Sequence, residues 1–560
     1  MPSELDRKYD AVLAHVTGPG GSIQLGQDGE GRAIVTNLPG TLPILFDAFC
    51  MLHGATVAVV AGEERLTFAE LDAKATELAR ILVGGWGVKK GDRVAIAMRN
   101  CPAWIVAYMA ALKAGAVATL INGWWTPDEM RHGLAITEPC LILADQARAK
   151  RLEAGGCAIP TLALPVEQAL EGALALLFAR GESGELPEIA PEDDATILFT
   201  SGSTGLAKGA VSTHRAVTTG VYAYAMGLAT LLGIKEMGGE APANPPATLV
   251  NVPLFHVTGE VPVLLNSFVI GRKMVLMPKW DAGEALRLIE AEKITYFVGV
   301  PTMSLELMQH PDREKYDLSS LTDIAAGGAP RPVAHVARLE ASFRGAQPAL
   351  GYGLTETNAV GTGNFWSNYH DKPASAGRPH RPIVELAIIG DGERHLPVGE
   401  RGEIGIRSAA NIRGYWRDEA ATQAAFTADG YFRSGDIGYL DADGYLFIVD
   451  RKKDIIIRGG ENISAQEVES ALYASPDVSE AAVFGIADER LGEVPVAIIW
   501  CEKARPTEAA LGAFLAERLA QFKLPARIWF SDDPLPKLGT GKIDKVSLRA
   551  AFRDGTATAV

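Results

Sequence analysis

Short apolar runs separated by amphipathic stretches organise the first three quarters of the chain. Thr56-Val57-Ala58-Val59-Val60, Arg93-Val94-Ala95-Ile96-Ala97, Ala116-Val117-Ala118-Thr119-Leu120, Thr248-Leu249-Val250-Asn251-Val252 and Tyr296-Phe297-Val298-Gly299-Val300 have the length and apolar content of buried strands. Phe68 to Val83 and Ala103 to Ala114 are helix candidates lying between such runs. Each run alone is ambiguous with buried helix, but their alternation with helices predicts an α/β fold of layered, largely parallel sheets. From about Val384 the texture changes. Brief hydrophobic runs punctuated by Gly and Asp, such as Gly402-Glu403-Ile404-Gly405-Ile406 and Gly444-Tyr445-Leu446-Phe447-Ile448-Val449, predict a small β-rich subdomain over about 384–450. The Gly/Pro-rich segment from Met237 to Pro246 reads as a surface excursion, because sheet-like sequence continues on both sides.

At 560 residues with 48% apolar content, the chain exceeds the size at which single cores stop growing, so two or more domains are expected. Its 53 basic and 68 acidic residues give a net charge of −15, which argues against binding to nucleic acid or an anionic bilayer. Cys50, Cys101, Cys140, Cys157 and Cys501 show neither disulfide nor zinc-ligand spacing and are expected as reduced core filler in a cytoplasmic protein. The acidic start Met1-Pro2-Ser3-Glu4-Leu5-Asp6 lacks a signal-peptide core. Apolar stretches such as Val261 to Ile270 fall short of a bilayer span, so no transmembrane segment is expected, with peripheral membrane contact left open.

The chemistry enters with Thr200-Ser201-Gly202-Ser203-Thr204-Gly205-Leu206-Ala207-Lys208-Gly209, directly after Ile197-Leu198-Phe199. Glycines turn backbone N–H groups inward without a Cβ clash, hydroxyls add donors, and a lysine supplies positive charge, a composition suited to a nucleoside triphosphate. It is not a Walker A loop, since Lys208 precedes Gly209 rather than Ser or Thr. On its own the loop has about even odds of being an ordinary surface turn. Its downstream neighbours change those odds. They are Ala325-Ala326-Gly327-Gly328-Ala329-Pro330, Gly351-Tyr352-Gly353-Leu354-Thr355-Glu356-Thr357, Ser434-Gly435-Asp436, Asp450-Arg451-Lys452-Lys453-Asp454, Gly459-Gly460-Glu461-Asn462-Ile463 and Pro536-Lys537-Leu538-Gly539-Thr540-Gly541-Lys542-Ile543. Taken in order, these segments resemble the acyl-adenylate-forming superfamily of acyl-CoA synthetases, stand-alone adenylation domains and firefly luciferase. The resemblance runs from about Leu66 to Lys542.

The resemblance implies a large N-terminal domain over residues 1–450, a hinge at 451–454 with Lys453 as pivot, and a small mobile α+β cap over 455–560. It implies an ATP- and Mg²⁺-dependent acid:CoA ligase. Thr200, Ser201, Gly202, Ser203, Thr204, Gly205 and Lys208 would hold the β- and γ-phosphates, with Thr355 beside the reacting phosphate and Glu356 as a Mg²⁺ ligand. Gly327, Gly328, Ala329, Gly351, Tyr352 and Gly353 would line the adenine site, and Asp436 and Arg451 the ribose. Lys542 would serve the first half-reaction, His256 would gate the carboxylate site, and Gly459 and Gly460 would leave room for pantetheine after the cap rotates.

The acid pocket of the resemblance maps to "VPLFHVTG", "VGVPTM", "GGA" and "GYGLTET", which are apolar in character. Amino-acid-activating relatives place an aspartate where this chain has His256 after Phe255. A neutral hydrophobic acid is therefore expected, aliphatic of medium or long chain, or aryl or cyclic. Trp124 and Trp125 are entrance candidates, with plain packing as the alternative. Ala207 stands where the family usually has proline, and Arg433-Ser434 where threonine precedes the glycine. An acyl-AMP ligase serving a carrier protein is the runner-up, and a silent nucleotide- or acyl-binding regulator the reading of a different class. A homodimer is a family-level expectation.

Overall fold

The computed structural model describes residues 2–201, 207–240, 242–329, 331–343, 345–452, 454–458, 461–503, 505–538 and 541–553. Arg93–Ala97 forms a strand with the bounds its apolar run predicts. It is the central parallel member of a seven-stranded sheet, flanked by Val117–Leu120 and Leu141–Asp145. Outward on one side, Asp194–Ser201 adds in parallel and Ala207–Thr213 pairs with it antiparallel, with Gly414–Tyr415 at the edge. The loop expected to hold phosphates thus joins two paired strands, and its base is fixed by the register Thr200↔Lys208.

A second sheet of nine strands has a parallel centre built from Gln347–Gly353, Asp323–Ala326, Tyr296–Gly299, Ala247–Val250, Lys273–Leu276 and Val57–Ala61. Helices such as Phe68–Gly84 and Pro102–Lys113 pack with these sheets into one large core that includes Phe46, Trp104, Tyr108 and Phe268, all with no exposed surface. Helix His214–Met237, 24 residues long, is long and apolar enough by composition to cross a bilayer, unlike the shorter runs in the sequence. Its Val217, Val221, Tyr222, Ala223 and Met226 are buried in that same core. Among the described residues no other helix has that length and apolar content.

The β-rich region is an antiparallel sheet of Glu385–Ile389, Gly402–Arg407, Phe432–Leu440 and Leu446–Arg451. A separate small sheet follows, with Ile456–Arg458, Glu461–Ile463, Glu480–Asp488, Gly492–Trp500 and Ile528–Ser531, over which helices Ala465–Tyr473 and Glu508–Ala516 build their own core. A large N-terminal domain and a smaller C-terminal one are the result. The N-terminal helix Glu4–Thr17 is tied to the large domain through buried Asp6, whose carboxylate accepts from Asn368, Arg378 and Tyr445 at 3.1, 3.0 and 2.9 Å. Only Cys50 and Cys101 are buried cysteines, so core filler was the wrong expectation for exposed Cys140 and for half-buried Cys157 and Cys501. These three lie at strand and loop margins, where a small thiol is tolerated without being enclosed.

Candidate active site

The Gly351-to-Thr357 segment leaves the second sheet and enters a 3₁₀ turn at Thr355–Thr357. The chain then reverses through Asn358 and Ala359 at φ +48 and +65. Asn358 is pinned there because its amide donates to the Ala410 carbonyl at 2.7 Å and to Ser212 Oγ at 3.0 Å. Gly353 is required by close approach, since a Cβ would lie 2.1 Å from the Ala359 carbonyl oxygen. This tight return holds Thr355 and Glu356 at the rim of the sheet.

Glu356 faces the paired strands Asp194–Ser201 and Ala207–Thr213. Tyr415 Oη donates to Glu356 Oε1 at 2.9 Å, the Thr200 hydroxyl bonds the same carboxyl, and Lys208 Nζ lies 5.1 Å from the Tyr415 ring centre. Burial pushes the Glu356 carboxyl above the usual range, against the lowering effect of these hydrogen bonds and of Arg451. Thr200, Lys208 and Glu356 therefore share one cleft. Tyr415 was not foreseen: its edge strand, Gly414–Tyr415, has only two residues and carries no alternation to detect.

On the other side, Tyr352 Oη donates to Asp436 Oδ2 at 2.7 Å, and Arg451 Nε stands 3.3 Å from Asp436 Oδ1. Burial raises the Asp436 carboxyl, and Arg451 and Tyr352 oppose that shift. Gly327 and Gly351 face open room: a Cβ at Gly351 meets nothing within 4 Å, and one at Gly327 meets only the Gly351 carbonyl oxygen at 3.6 Å. Ala329 follows Gly328, which holds φ +76. A flat base has space beside these backbones.

Lys542 arrives from the small domain. A Cβ at Gly328 would lie 3.4 Å from its Cε and 3.5 Å from its Nζ. Burial, together with the neighbouring Arg451 charge, lowers the ammonium from 10.5 to about 8, with Asp436 pulling it back up. Among the described residues no carboxylate stands at ion-pair distance from Lys542. His256 is lowered to about 4 by burial and by the Lys542 charge, so it is neutral at pH 7. Trp124 meets Phe255 edge-on at 4.9 Å beside His256, whereas Trp125 packs on Phe199 at 5.0 Å in the core. Plain packing thus describes Trp125, while Trp124 is partly exposed beside Phe255. Ser201 ends its strand at the loop base, while Gly202, Ser203, Thr204, Gly205, Lys453, Gly459 and Gly460 lie outside the described residues.

Residues 46–416 match the AMP-binding enzyme family, and residues 467–542 match the AMP-binding enzyme C-terminal domain. The chain belongs to the AMP-binding enzymes. This AMP-binding enzyme is 34% identical over 535 residues to a long-chain-fatty-acid–CoA ligase of Bacillus subtilis, spanning 89% of this chain and 92% of that relative. It is 35% identical over 496 residues to a feruloyl-CoA synthase of an Amycolatopsis species, spanning 88% and 96%. Among solved structures, the o-succinylbenzoate-CoA synthetase of Bacillus subtilis in complex with ATP and magnesium matches with TM-score 0.77 at 28% identity, over 90% of this chain and 99% of that one. The AMP-binding enzyme thus shares both domains with adenylate-forming enzymes.

Proposed function

We propose that this enzyme is an ATP-dependent acid:CoA ligase. It converts a hydrophobic carboxylic acid to an acyl-adenylate with release of pyrophosphate, then transfers the acyl group to the CoA thiol with release of AMP. The observation that carries the proposal is Lys542: a dehydrated ammonium beside Gly328 and in the field of the Asp436–Arg451 pair, with no carboxylate at ion-pair distance among the described residues. Such a cation is costly to bury alone and is relieved by an anion. Relatives named a long-chain-fatty-acid–CoA ligase and a feruloyl-CoA synthase support thiol transfer to CoA.

In the first half-reaction a carboxylate oxygen of the acid attacks the α-phosphorus, and the bond to the β-phosphate oxygen breaks, so pyrophosphate leaves with the electron pair. Lys542 neutralises charge building on the α-phosphate, while Lys208 and the loop from Thr200 hold the leaving phosphates. Tyr352 holds Asp436 so that its carboxylate accepts from the ribose hydroxyls, while the Arg451 guanidinium donates to the ribose oxygens. His256, being neutral, admits the acid without repelling the ammonium. Glu356 fits a Mg²⁺ ion, because a dehydrated carboxyl held by its own backbone N–H and by the Tyr415 and Thr200 hydroxyls can take a hard cation that also binds phosphates. Bound there, the ion would offset charge on the triphosphate. In the second half-reaction the CoA thiolate attacks the acyl carbon and AMP departs as the leaving group.

The two halves need different surroundings, so the small domain would turn about residues 451–454 with Lys453 as pivot and bring Gly459 and Gly460 to the pantetheine. The sheet boundary between Arg451 and Ile456 supports that division. The apolar segments Val252–Gly259 and Val298–Met303 favour a neutral aliphatic or aryl acid. ATP and CoA as substrates favour a cytoplasmic setting. Purified enzyme with ATP, Mg²⁺, CoA and a panel of fatty and aryl acids should release AMP and pyrophosphate. Release of ADP would overturn the proposal. Turnover with a carrier protein but not with CoA would favour the acyl-AMP ligase, and no turnover with any acid would favour a regulator.

A pH dependence follows from Lys542. Docked, it holds its proton less tightly than a free lysine, so the docked state binds fewer protons. Without ligand, docking is therefore weakest at pH below about 8 and strengthens as pH rises toward 10.5. Catalysis needs the ammonium and runs the other way. The kcat/KM for adenylation should decline as pH rises above about 8, and the decline in kcat should begin at higher pH because a bound triphosphate retains the proton. Pyrophosphate release measured from pH 7 to 10 checks this. A flat kcat/KM profile would contradict it.

A further inference from the structure

Lys542 reaches Gly328 because its loop rests on the large domain. At its base Lys537 bridges Ile543 antiparallel, and the N–H groups of Leu538 and Gly541 donate to the Lys542 and Leu538 carbonyls, both at 2.7 Å, so the described flanks pair as a hairpin. At Gly541, φ +80, a Cβ would lie 2.9 Å from Val300 Cγ2. The hairpin therefore sits backbone-first at the start of helix Pro301–Gln309. The same helix presents Glu306. The Trp280 indole N–H donates to Glu306 Oε2 and orients that carboxylate, while Glu306 Oε1 stands 3.7 Å from Lys537 Nζ.

Lys537 is held from its own side as well. It pairs with Glu480 Oε1 at 2.8 Å, and Glu480 Oε2 accepts the Leu535 N–H at 2.7 Å. The Glu480 side chain is only 8% exposed, so this half of the arrangement belongs to the folded core of the small domain. Lys537 thus stands at the root of the hairpin, anchored behind and facing a carboxylate in front. Among the described residues, Glu306–Lys537 is the one ion pair that links residues before Arg451 to residues after Asp454.

We propose that Glu306, oriented by Trp280, is a positioning residue for the adenylation half-reaction: it receives Lys537 and so fixes where the Lys542 hairpin lands. The proposal rests on the assignment of Lys542 to that half-reaction. A pair this exposed adds little to stability. Its effect is geometric, because a misplacement of about 1 Å in a reacting group can cost about 10²-fold in rate. The thioester half-reaction, for which the hairpin has left, does not use the contact.

The test uses the full chain carrying Glu306→Gln or Glu306→Lys and an acid that the wild type accepts. Adenylation is read as pyrophosphate release, and thioester formation from supplied acyl-adenylate and CoA. Adenylation should fall about threefold in Glu306→Gln. In Glu306→Lys it should fall about tenfold or more, because two ammonium groups then face each other. Thioester formation should be unchanged in both. The loss in Glu306→Lys should shrink at about 0.5 M salt, and adding Lys537→Gln to it should restore part of the rate. Equal loss in both half-reactions, no loss in Glu306→Lys, or no recovery with Lys537→Gln would overturn the proposal. If Lys542→Ala spares adenylation, the underlying assignment fails instead. If Lys542→Ala is inactive and Glu306→Lys is normal, only the positioning role falls.

Discussion

Lys542→Ala is expected to lower acyl-adenylate formation by roughly 10²–10³-fold while sparing thioester formation from supplied acyl-adenylate and CoA. The asymmetry follows from where the ammonium lies. It lies beside Gly328, where a Cβ would come within 3.5 Å of its Nζ, shares its field with Arg451 and Asp436, and is dehydrated enough that its proton is held at about 8. Charge placed in such a cleft acts strongly on a developing phosphorane, whereas attack of a thiolate on an acyl carbon does not build charge at the same atoms. Lys542→Ala removes the cation without creating a buried clash, because the side chain is shortened. The check is pyrophosphate release with ATP and acid, set beside thioester formation from the synthetic adenylate. Equal loss of both activities would contradict the assigned role.

Glu356→Gln is expected to lower adenylation by roughly 10²-fold and to move the Mg²⁺ dependence of the reaction to higher concentration. Glutamine keeps an oxygen to accept from Tyr415 and fills the same volume, so the turn after Leu354 should be preserved. What is lost is the negative charge that a hard cation requires. A Mg²⁺ titration of the rate, together with Mg²⁺-dependent protection of the folded enzyme by ATP against heat, reads the two effects separately. An unchanged Mg²⁺ midpoint would show that the carboxylate is not a ligand.

Much of this was legible in the chain. Arg93–Ala97 and Phe68–Gly84 sit where their patterns put them, because a five-residue apolar run and a full amphipathic helix each bury one continuous surface. The nucleotide-facing motifs were legible because their glycines, hydroxyls and charges are contiguous, and the structure brings Thr200, Lys208 and Glu356 together as well as Tyr352, Asp436 and Arg451.

The remainder depends on contacts between residues distant in sequence. Tyr415 reaches Glu356 from a two-residue edge strand, too short to show a period. Glu306 and Lys537 are 231 positions apart and meet only through the folded arrangement of the chain. Helix His214–Met237 does not show as one apolar run because its Thr and Gly residues interrupt it, although its buried face is continuous through most of its first half. The division of roles between Trp124 and Trp125 was equally invisible. Adjacent side chains diverge at a turn, and only the positions of Phe255 and Phe199 decide which partner each ring meets.

The central claim is that the acid's own oxygen attacks the α-phosphorus of ATP. Incubating the enzyme with ATP, Mg²⁺, CoA and an accepted acid carrying ¹⁸O in its carboxylate tests it directly, with mass spectrometry of the nucleotide product. The account predicts one ¹⁸O atom in the phosphate of AMP and none in pyrophosphate. Unlabelled AMP, or label recovered in inorganic phosphate alongside ADP, would contradict it.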